Sequence, residues 1–415
     1  MIAICKGNNP IIKKYLAEKE VVSISSMLDD NENSQIPFRL RTNKDVCYKG
    51  SDFFGLGYTL EIKDALDLIK KDVKYKDVLF PLLNGENLTN SPSQSAARYI
   101  INFFDWPLEI AEKYEVLIDK LRKDVKPVRD KTKRASNRDI WWQYAERAPR
   151  LYEKIAGLTN VLVVPQVIKY ISASFITNDK VYSSGLIVFP TNRYYWFSLI
   201  QSTINTEWAR KYGSTMRTDL RYTTTDCIET FPFLPNLNLQ KEHQLETIGE
   251  AYHEHRMQLM LGMQLGLTKT YNLFHSNSIT VLNINDKDKQ VISLQKHLEK
   301  TANTISFDEA IKGILHLRDL HVQMDEAVLD AYGWNDIKLF HDFYEVDYLP
   351  ENDRVRYTIH PEARKEVLKR LLQLNHERYA EEVAAGLHDK KGAKKEDKAK
   401  KVKGSKSEDG PSLFD

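Results

Sequence analysis

Cysteine is scarce in this chain, with three in 415 residues, Cys5, Cys47 and Cys227. Their wide separation, odd number and lack of any CxxC or Cys/His spacing exclude a disulfide framework and a zinc finger, and fit a reducing compartment. Long apolar runs are missing too, since nothing approaches the roughly 20 residues a membrane helix needs. The opening "MIAICKGNNPIIKKYL" is too briefly apolar for a secretory signal. A soluble, cytoplasmic protein with no membrane partner is expected. An excess of one charge is also absent: 60 Lys and Arg face 58 Asp and Glu, a formal net charge of +2. Any surface for a polyanion must therefore arise from local clustering.

Signatures of catalysis are equally sparse. There is no GxxxxGK[ST], no HExxH and no GxSxG. Amino-group DNA methyltransferases hold the target amine with Asn or Asp, two prolines and an aromatic in a row. The nearest approach, "NNPI" at 8–11, lacks the second proline and the aromatic and reads as a turn. "GLGY" at 55–58 has no Rossmann strand before it or helix after it, and reads as a tight turn. His253 and His255 stand two apart on a predicted helix, so they point to different sides and cannot share an ion. His321 and His376 read as packed helix residues. The sequence assigns no catalytic residue and no metal ligand.

What is present is a globular composition, 42% apolar and 10% aromatic, long enough for sizeable cores. The expected fold class is α+β. From 46 to 235 the text reads as a mixed α/β domain. "EIKDALDLIKKD" (61–72) has helical spacing, while "VLFPLLNG" (78–85) and "ARYIINFF" (97–104) read as strands. The stretch 108–134 reads as helix as far as Lys126, where Pro127 interrupts it. The Val/Ile-rich run 160–190, with "TND" and "SSG" as punctuation, predicts a small antiparallel β-meander. After "FPFLPN" (231–236) the pattern becomes amphipathic helices at 241–275, 306–334 and 361–386, giving a helical domain over 236–386. Residues 1–45 read as a connector. Residues 387–415 are Lys-rich and too polar to fold, a disordered tail that is either solubilising or a weak electrostatic tether.

The densest basic stretch lies between Lys120 and Lys154, where Trp141, Trp142 and Tyr144 interleave with Lys126, Arg129, Lys131, Lys133, Arg134, Arg138, Arg147 and Arg150. Two adjacent indoles cannot share one side, so one is expected in the core and the other, Trp142, near a groove. A solvated helix with both aromatics in the core is the alternative.

The order "GSDFFGLGYTL", "DVLFPLLNGENL", "RYIINFFDW", "VKPVRD", "DIWWQYAERAPRLYEKI", the β-rich run, "YGSTMRTDLRYTTTDCIETFPFL", "LRDLHVQMDEAVLDAYGW" and "LLQLNHERYAEE" resembles the C-terminal half of MmeI-like and Eco57I-like DNA methyltransferases of type II restriction-modification and phage-defence systems. The resemblance implies a DNA target-recognition domain followed by a helical domain. It also implies an adenine-N6 methyltransferase upstream, which binds S-adenosylmethionine and is not part of this sequence. It makes double-stranded DNA and a catalytic domain or subunit the partners, with no cofactor held by this chain.

On that reading Lys126, Arg129, Lys131, Lys133, Arg134, Arg138, Arg147 and Arg150 contact phosphates. Arg217 and Arg221 in "STMRTDLRY" add a phosphate clamp helped by Thr215 and Thr218. Base readout or stacking falls to Trp142, Gln166, Lys169, Tyr170, Ser172, Asn178 and Lys180. The last residues, "GPSLFD", resemble peptides that dock on the bacterial sliding clamp, with Leu413 and Phe414 as plugs. Rival readings are a complete but divergent methyltransferase or nuclease, and a helical assembly subunit without DNA contact.

Overall fold

The computed structural model describes residues 36–389, apart from 217, 235–236 and 282–283, and the backbone of an antiparallel pair, Lys14–Leu16 with Lys19–Val21. Arg217, Leu413 and Phe414 lie outside the described residues, as do the tail beyond 389 and most of the first 35 positions. The fold is mixed α and β, as expected.

Two four-stranded sheets form the β part. The first has the order Val181–Tyr182, Leu79–Leu83, Arg98–Ile101, Thr59–Glu61. The second, antiparallel throughout, has the order Tyr48–Lys49, Leu186–Phe189, Asn160–Pro165, Ser174–Thr177. Its side chains alternate between two cores, as the period of two in a strand requires. Leu162, Val164, Ile187 and Phe189 face one, and Val161, Val163, Leu186 and Val188 the other. A small third sheet joins Ser214–Met216, Asp219–Arg221 and Val167–Ile168.

The run 160–190 departs from a simple meander. Asn160–Pro165 is central, flanked by Ser174–Thr177 and Leu186–Phe189, while Val181–Tyr182 crosses to pair in parallel with Leu82 and Leu83 of the first sheet. Burial explains the departure. Val181 packs with Phe80 and Tyr182 with Leu83, and neither is exposed at all, a gain of apolar burial that a solvated meander edge would not offer. Pro127 does not break a long helix either. Glu115–Asp124 ends on its own, and Lys126–Arg129 carries Pro127 in its first turn, where a missing N–H costs nothing.

Helices Tyr194–Gln201 and Thr203–Tyr212 precede the expected boundary at 235, and the later ones pack on them. Leu239–Met263 starts from Asn238, whose side chain accepts the Lys241 N–H. Phe307–Tyr332 opens on a capping box of Ser306 and Glu309 and closes on Gly333 at φ 76°. Pro361–Ala384 follows a hairpin, Asp342–Glu345 with Val355–Thr358, that the sequence pattern did not announce. One buried core includes Leu162, Phe197 and Trp208 together with Met260, Ile314, Val328 and Leu371, so it passes through position 235 without a break. No helix among the described residues is long and apolar enough to cross a membrane.

Arg256 of the long helix fastens the sheet to the helices. At 1% exposure it donates to Gln201 Oε1 (3.1 Å), Tyr271 Oη (3.0 Å), Ser174 Oγ (3.0 Å) and the Ala173 carbonyl. His253 Nε2 accepts the Phe175 N–H (3.2 Å), whereas His255 Nε2 meets the Gly313 carbonyl (2.8 Å). The two histidines serve different neighbours. At the other end, Phe38 stacks on Tyr379 with ring centroids 4.1 Å apart, and Glu382 accepts the backbone N–H groups of Arg41 (2.8 Å) and Thr42 (3.0 Å). Residues 38–42 are thus bound to the last helix.

Close packing of Leu239–Met263 on Tyr194–Gln201 depends on Gly249, where a Cβ would lie 2.5 Å from Ser198 Oγ and 2.6 Å from the Tyr194 carbonyl oxygen. Gly249→Ala should therefore destabilise the protein by about 1–3 kcal/mol despite its better helix propensity. Gly157→Ala, with nothing within 4 Å of the added carbon, should stay within about 0.5 kcal/mol of wild type. Urea denaturation of both variants checks the contrast.

Candidate nucleic-acid interface

The basic stretch folds as short helices, Glu115–Asp124, Lys126–Arg129, Ala135–Asp139 and Pro149–Ile155; the first packs in the core of the first sheet, and the last places Leu151, Tyr152 and Ile155 in the core behind the second. The aromatics of the stretch supply the anchor. Trp141 (6% exposed) and Tyr144 (7% exposed) are core residues, and Tyr144 donates to the Ile101 carbonyl (2.8 Å). Trp142 is half-buried, and its indole N–H is spent on the Trp106 carbonyl (2.9 Å).

Arg129 was expected on phosphate and is instead inside the protein, 1% exposed. Its NH2 donates to Tyr58 Oη (3.2 Å) and to the carbonyls of Phe53 (3.3 Å) and Gln143 (3.3 Å). Burial pushes the Tyr58 phenol up to about 12, so it stays protonated and donates to the Trp141 and Gln143 carbonyls, each at 2.7 Å. Arg129 Nε and Nη1 have no hydrogen-bond partner among the described residues. The guanidinium is a buttress that joins residues 53–58 to residues 141–143. Nothing in the sequence separates it from its basic neighbours, because a guanidinium meets carbonyl and phosphate oxygens with the same donors.

The remaining cations are at the surface. Lys131 and Lys133 are exposed, and their side chains have no hydrogen bond or ion pair among the described residues. Arg134 is exposed and paired with Glu146 (2.6 Å), and Lys126 pairs with Asp130 (2.8 Å). Such exposed pairs are worth little and can exchange partners. Arg138 donates to the Thr132 (2.8 Å) and Lys133 (3.0 Å) carbonyls, ordering the turn that presents the two lysines. Arg147 is 3.9 Å from Asp105, and Arg150 is exposed.

The residues expected at base edges are dispersed, and most are occupied. Ser172 is 3% exposed and donates to the Tyr170 carbonyl (3.1 Å); Asn178 is 8% exposed and donates to the carbonyls of Ile155 (2.7 Å) and Leu158 (3.0 Å). Both serve the backbone and cannot reach a base. Lys180 Nζ is held by Thr177 and Asp179. Lys169 pairs with Asp353 (3.0 Å), and Tyr170 stacks on His275 with centroids 4.7 Å apart and donates to Asn272 Oδ1 (2.9 Å). These two join the sheet to the helical layer rather than face solvent. Burial and cross-element pairing redirect them, and neither can be read from local pattern.

Gln166 keeps a half-exposed side chain, its backbone bonded to Gly185 (2.8 Å) and Tyr222 (2.7 Å). It borders the third sheet, whose outer hairpin exposes Ser214, Thr215 and Met216 while Leu220 enters the core and Arg221 points out. That hairpin is a two-stranded ribbon narrow enough for a major groove. The sequence reading had taken it only as a phosphate clamp. The alternation of Leu220 and Arg221 in "TDLRY" is the signal that could have revealed it. Among the described residues no three His, Cys, Asp or Glu side chains come together to hold a metal.

Comparison with known proteins gives this arrangement a context. Residues 49–235 match the family described as MmeI, target recognition domain, a span that includes both the basic stretch and the exposed hairpin. A search of curated sequences found no match. Among solved structures, the fold is similar to that of the Type IIL restriction-modification enzyme MmeI in complex with DNA, with a TM-score of 0.57 and 13% identity. The alignment covers 87% of this chain and 39% of that one, so the chain spans well under half the length of that enzyme. Residues 49–235 of this chain are thus similar to the MmeI target recognition domain.

Proposed function

We infer that the chain is the DNA-recognition module of a restriction-modification enzyme, and that it holds the duplex without cutting or methylating it. The observation that carries this reading is the agreement between the matched span, 49–235, and the part of the surface where unpaired Lys131 and Lys133 stand beside Arg134, Arg147 and Arg150. These five cations take phosphates, which fixes position and carries no sequence information. Gln166 and the exposed hairpin residues Ser214, Thr215 and Met216 are the groups left to meet base edges, with Trp142 as a lesser contact elsewhere on the domain. Lys126 adds a phosphate contact by leaving Asp130, and Arg138 and Arg221 add others. Methylation of adenine N6, with S-adenosylmethionine as donor, belongs in this reading to a catalytic domain or subunit. The setting is then the bacterial cytoplasm and defence against phage. The C-terminal "GPSLFD" would tether the assembly to the sliding clamp.

Duplex binding by the whole chain, followed by fluorescence anisotropy at rising salt, should weaken steeply, because each neutralised phosphate releases counterions. Replacing Lys131, Lys133, Arg134 and Arg147 together with alanine should weaken binding to all sequences alike and lower the log-log salt slope by about 0.9 per lost contact. Arg129→Ala should act differently, lowering the unfolding midpoint with no separate effect on the salt slope. An unchanged slope in the quadruple variant overturns the phosphate assignment. Calorimetric titration of the chain with S-adenosylmethionine should give no binding heat, and micromolar binding would return the methyltransferase chemistry to this polypeptide.

A further inference from the structure

Residues 53–57 form a loop with an unusual backbone. Phe54 has φ 57° and Gly55 φ 105°. A left-handed conformation is strained for a bulky aromatic, and such strain persists only where the surroundings impose it. Here they do. The Phe53 carbonyl is held by buried Arg129 (3.3 Å), and the Phe54 N–H donates to Asp52 Oδ1 (3.0 Å). Asp52 is fixed by two backbone bonds to Glu146, at 2.9 and 3.0 Å. Thr59 Oγ1 donates to the Leu56 carbonyl (2.8 Å), and Gly57 sits so close to the end of the helix Glu115–Asp124 that a Cβ would come within 2.7 Å of Val125 Cγ2. Behind the loop, Tyr58 is completely buried.

This rigid mount does not bury the residues it carries. Phe54 is 50% exposed and Leu56 67%, and Val128 on the adjoining short helix is 51% exposed. The three make an apolar tip that contributes nothing to a core. Its surroundings carry both signs, with the cations Lys126, Lys131, Lys133, Arg134 and Arg147 standing among the acids Asp52, Asp130 and Glu146, and with the Lys131 and Lys133 side chains left unpaired among the described residues. Glu146, bonded to Asp52 through the backbone, is paired with Arg134 and followed by Arg147, while Lys131 and Lys133 follow directly after the helix that bears Val128 and Arg129. Phe340 is a useful contrast. It too has positive φ (46°) and is 69% exposed, yet it leads into a hairpin whose exposed ends are Asp342 and Glu345. Of the two, the Phe54 tip is the one with unpaired lysines close by in the chain.

We propose that Phe54 and Leu56 form a preformed wedge that enters a base-pair step of duplex DNA and unstacks it, while the cations on either side hold the phosphates. The proposal rests on the DNA-recognition reading and adds to it a residue pair and a deformation. Side chains that replace base stacking need to be apolar, projecting and already ordered, because an unstacked step costs several kcal/mol that loop ordering would only increase. A protein-binding patch would instead be depleted of charge around its centre, and the neighbouring lysines here are free. The same deformation gives sequence preference without a base contact, since pyrimidine–purine steps open most readily.

The test uses the full chain with a relaxed plasmid and topoisomerase I, reading the change in linking number, beside anisotropy with a short fluorescent duplex. Wild type should unwind the plasmid. The double variant Phe54→Ala, Leu56→Ala should lose the unwinding and bind the duplex about tenfold more weakly, and Phe54→Trp should retain the unwinding. Both positions are exposed, so the variants should melt like wild type. Unwinding that persists in the double variant, or that wild type never shows while binding duplex, overturns the wedge and leaves the DNA-recognition reading in place. Failure of wild type to bind any duplex overturns that reading and the wedge together. A double variant that unwinds normally but no longer co-purifies with its methyltransferase partner assigns the tip to a protein contact and also overturns the wedge.

Discussion

Buried guanidinium groups that bond to uncharged oxygens of backbone and side chains, with no ion pair, hold this protein together. Arg129, Arg256 and Arg318 are 1%, 1% and 4% exposed, and none forms a salt bridge among the described residues. Arg318 donates to the carbonyls of Phe274 (2.7 Å), Leu273 (3.2 Å), Ser276 (2.9 Å) and Ile279, closing the turn after the helix Leu267–Phe274. Arg256 joins the sheet to two helices, and Arg129 joins the loop 53–57 to the aromatic strip 141–144. A planar fork of five donors can satisfy several carbonyls at once, which lysine cannot. Each hydrogen bond to a charged group is worth about 1.5–3 kcal/mol, and removing the side chain leaves several buried acceptors unpaired. The fold is therefore most sensitive where the chain turns, not only where it packs.

Two consequences follow for function. The sheet and the helical layer share one core, so the recognition surface is mounted on helices that reach past position 330, and a recognition domain cut at 235 would expose Leu162, Phe197 and Trp208. The buried guanidinium groups also reduce the charge available to a partner. What remains on the 126–150 surface is a short row, Lys131 and Lys133 unpaired and Arg134, Arg147 and Arg150 beside them, framing the apolar tip at Phe54 and Leu56. Charge and apolar exposure meet at one place because Arg129, beneath, fixes both the loop and the helix that leads to the lysines.

The helices were legible in the sequence for local reasons. Ser306 and Glu309 announce Phe307–Tyr332, Gly333 ends it, and the apolar spacing of 61–72 specifies Ile62–Lys71. The concentration of cations and aromatics between 120 and 154 was legible as composition; the cations other than Arg129 lie at the surface, while Trp141, Tyr144 and Tyr152 pack inside. The strand order of 160–190 was not legible, because Val181–Tyr182 joins a sheet whose other strands lie about 100 residues earlier, and pairing across that distance leaves no local trace. The same limit applies to Ser172, Asn178, Lys169 and Tyr170. Their polar groups suit DNA and suit a carbonyl or a neighbouring helix equally well, and only the tertiary fold decides which they meet. Arg129 is the sharpest instance, a residue of the right type in the right stretch whose donors all face inward.

Reading of a duplex by this chain is tested most directly by selection from a random duplex library, with the full polypeptide as bait and no catalytic partner added. Successive rounds should enrich one recurrent short sequence, bound more tightly than the starting pool at moderate salt. Recovery of sequences indistinguishable from the pool, with binding that salt abolishes equally for all of them, would contradict it.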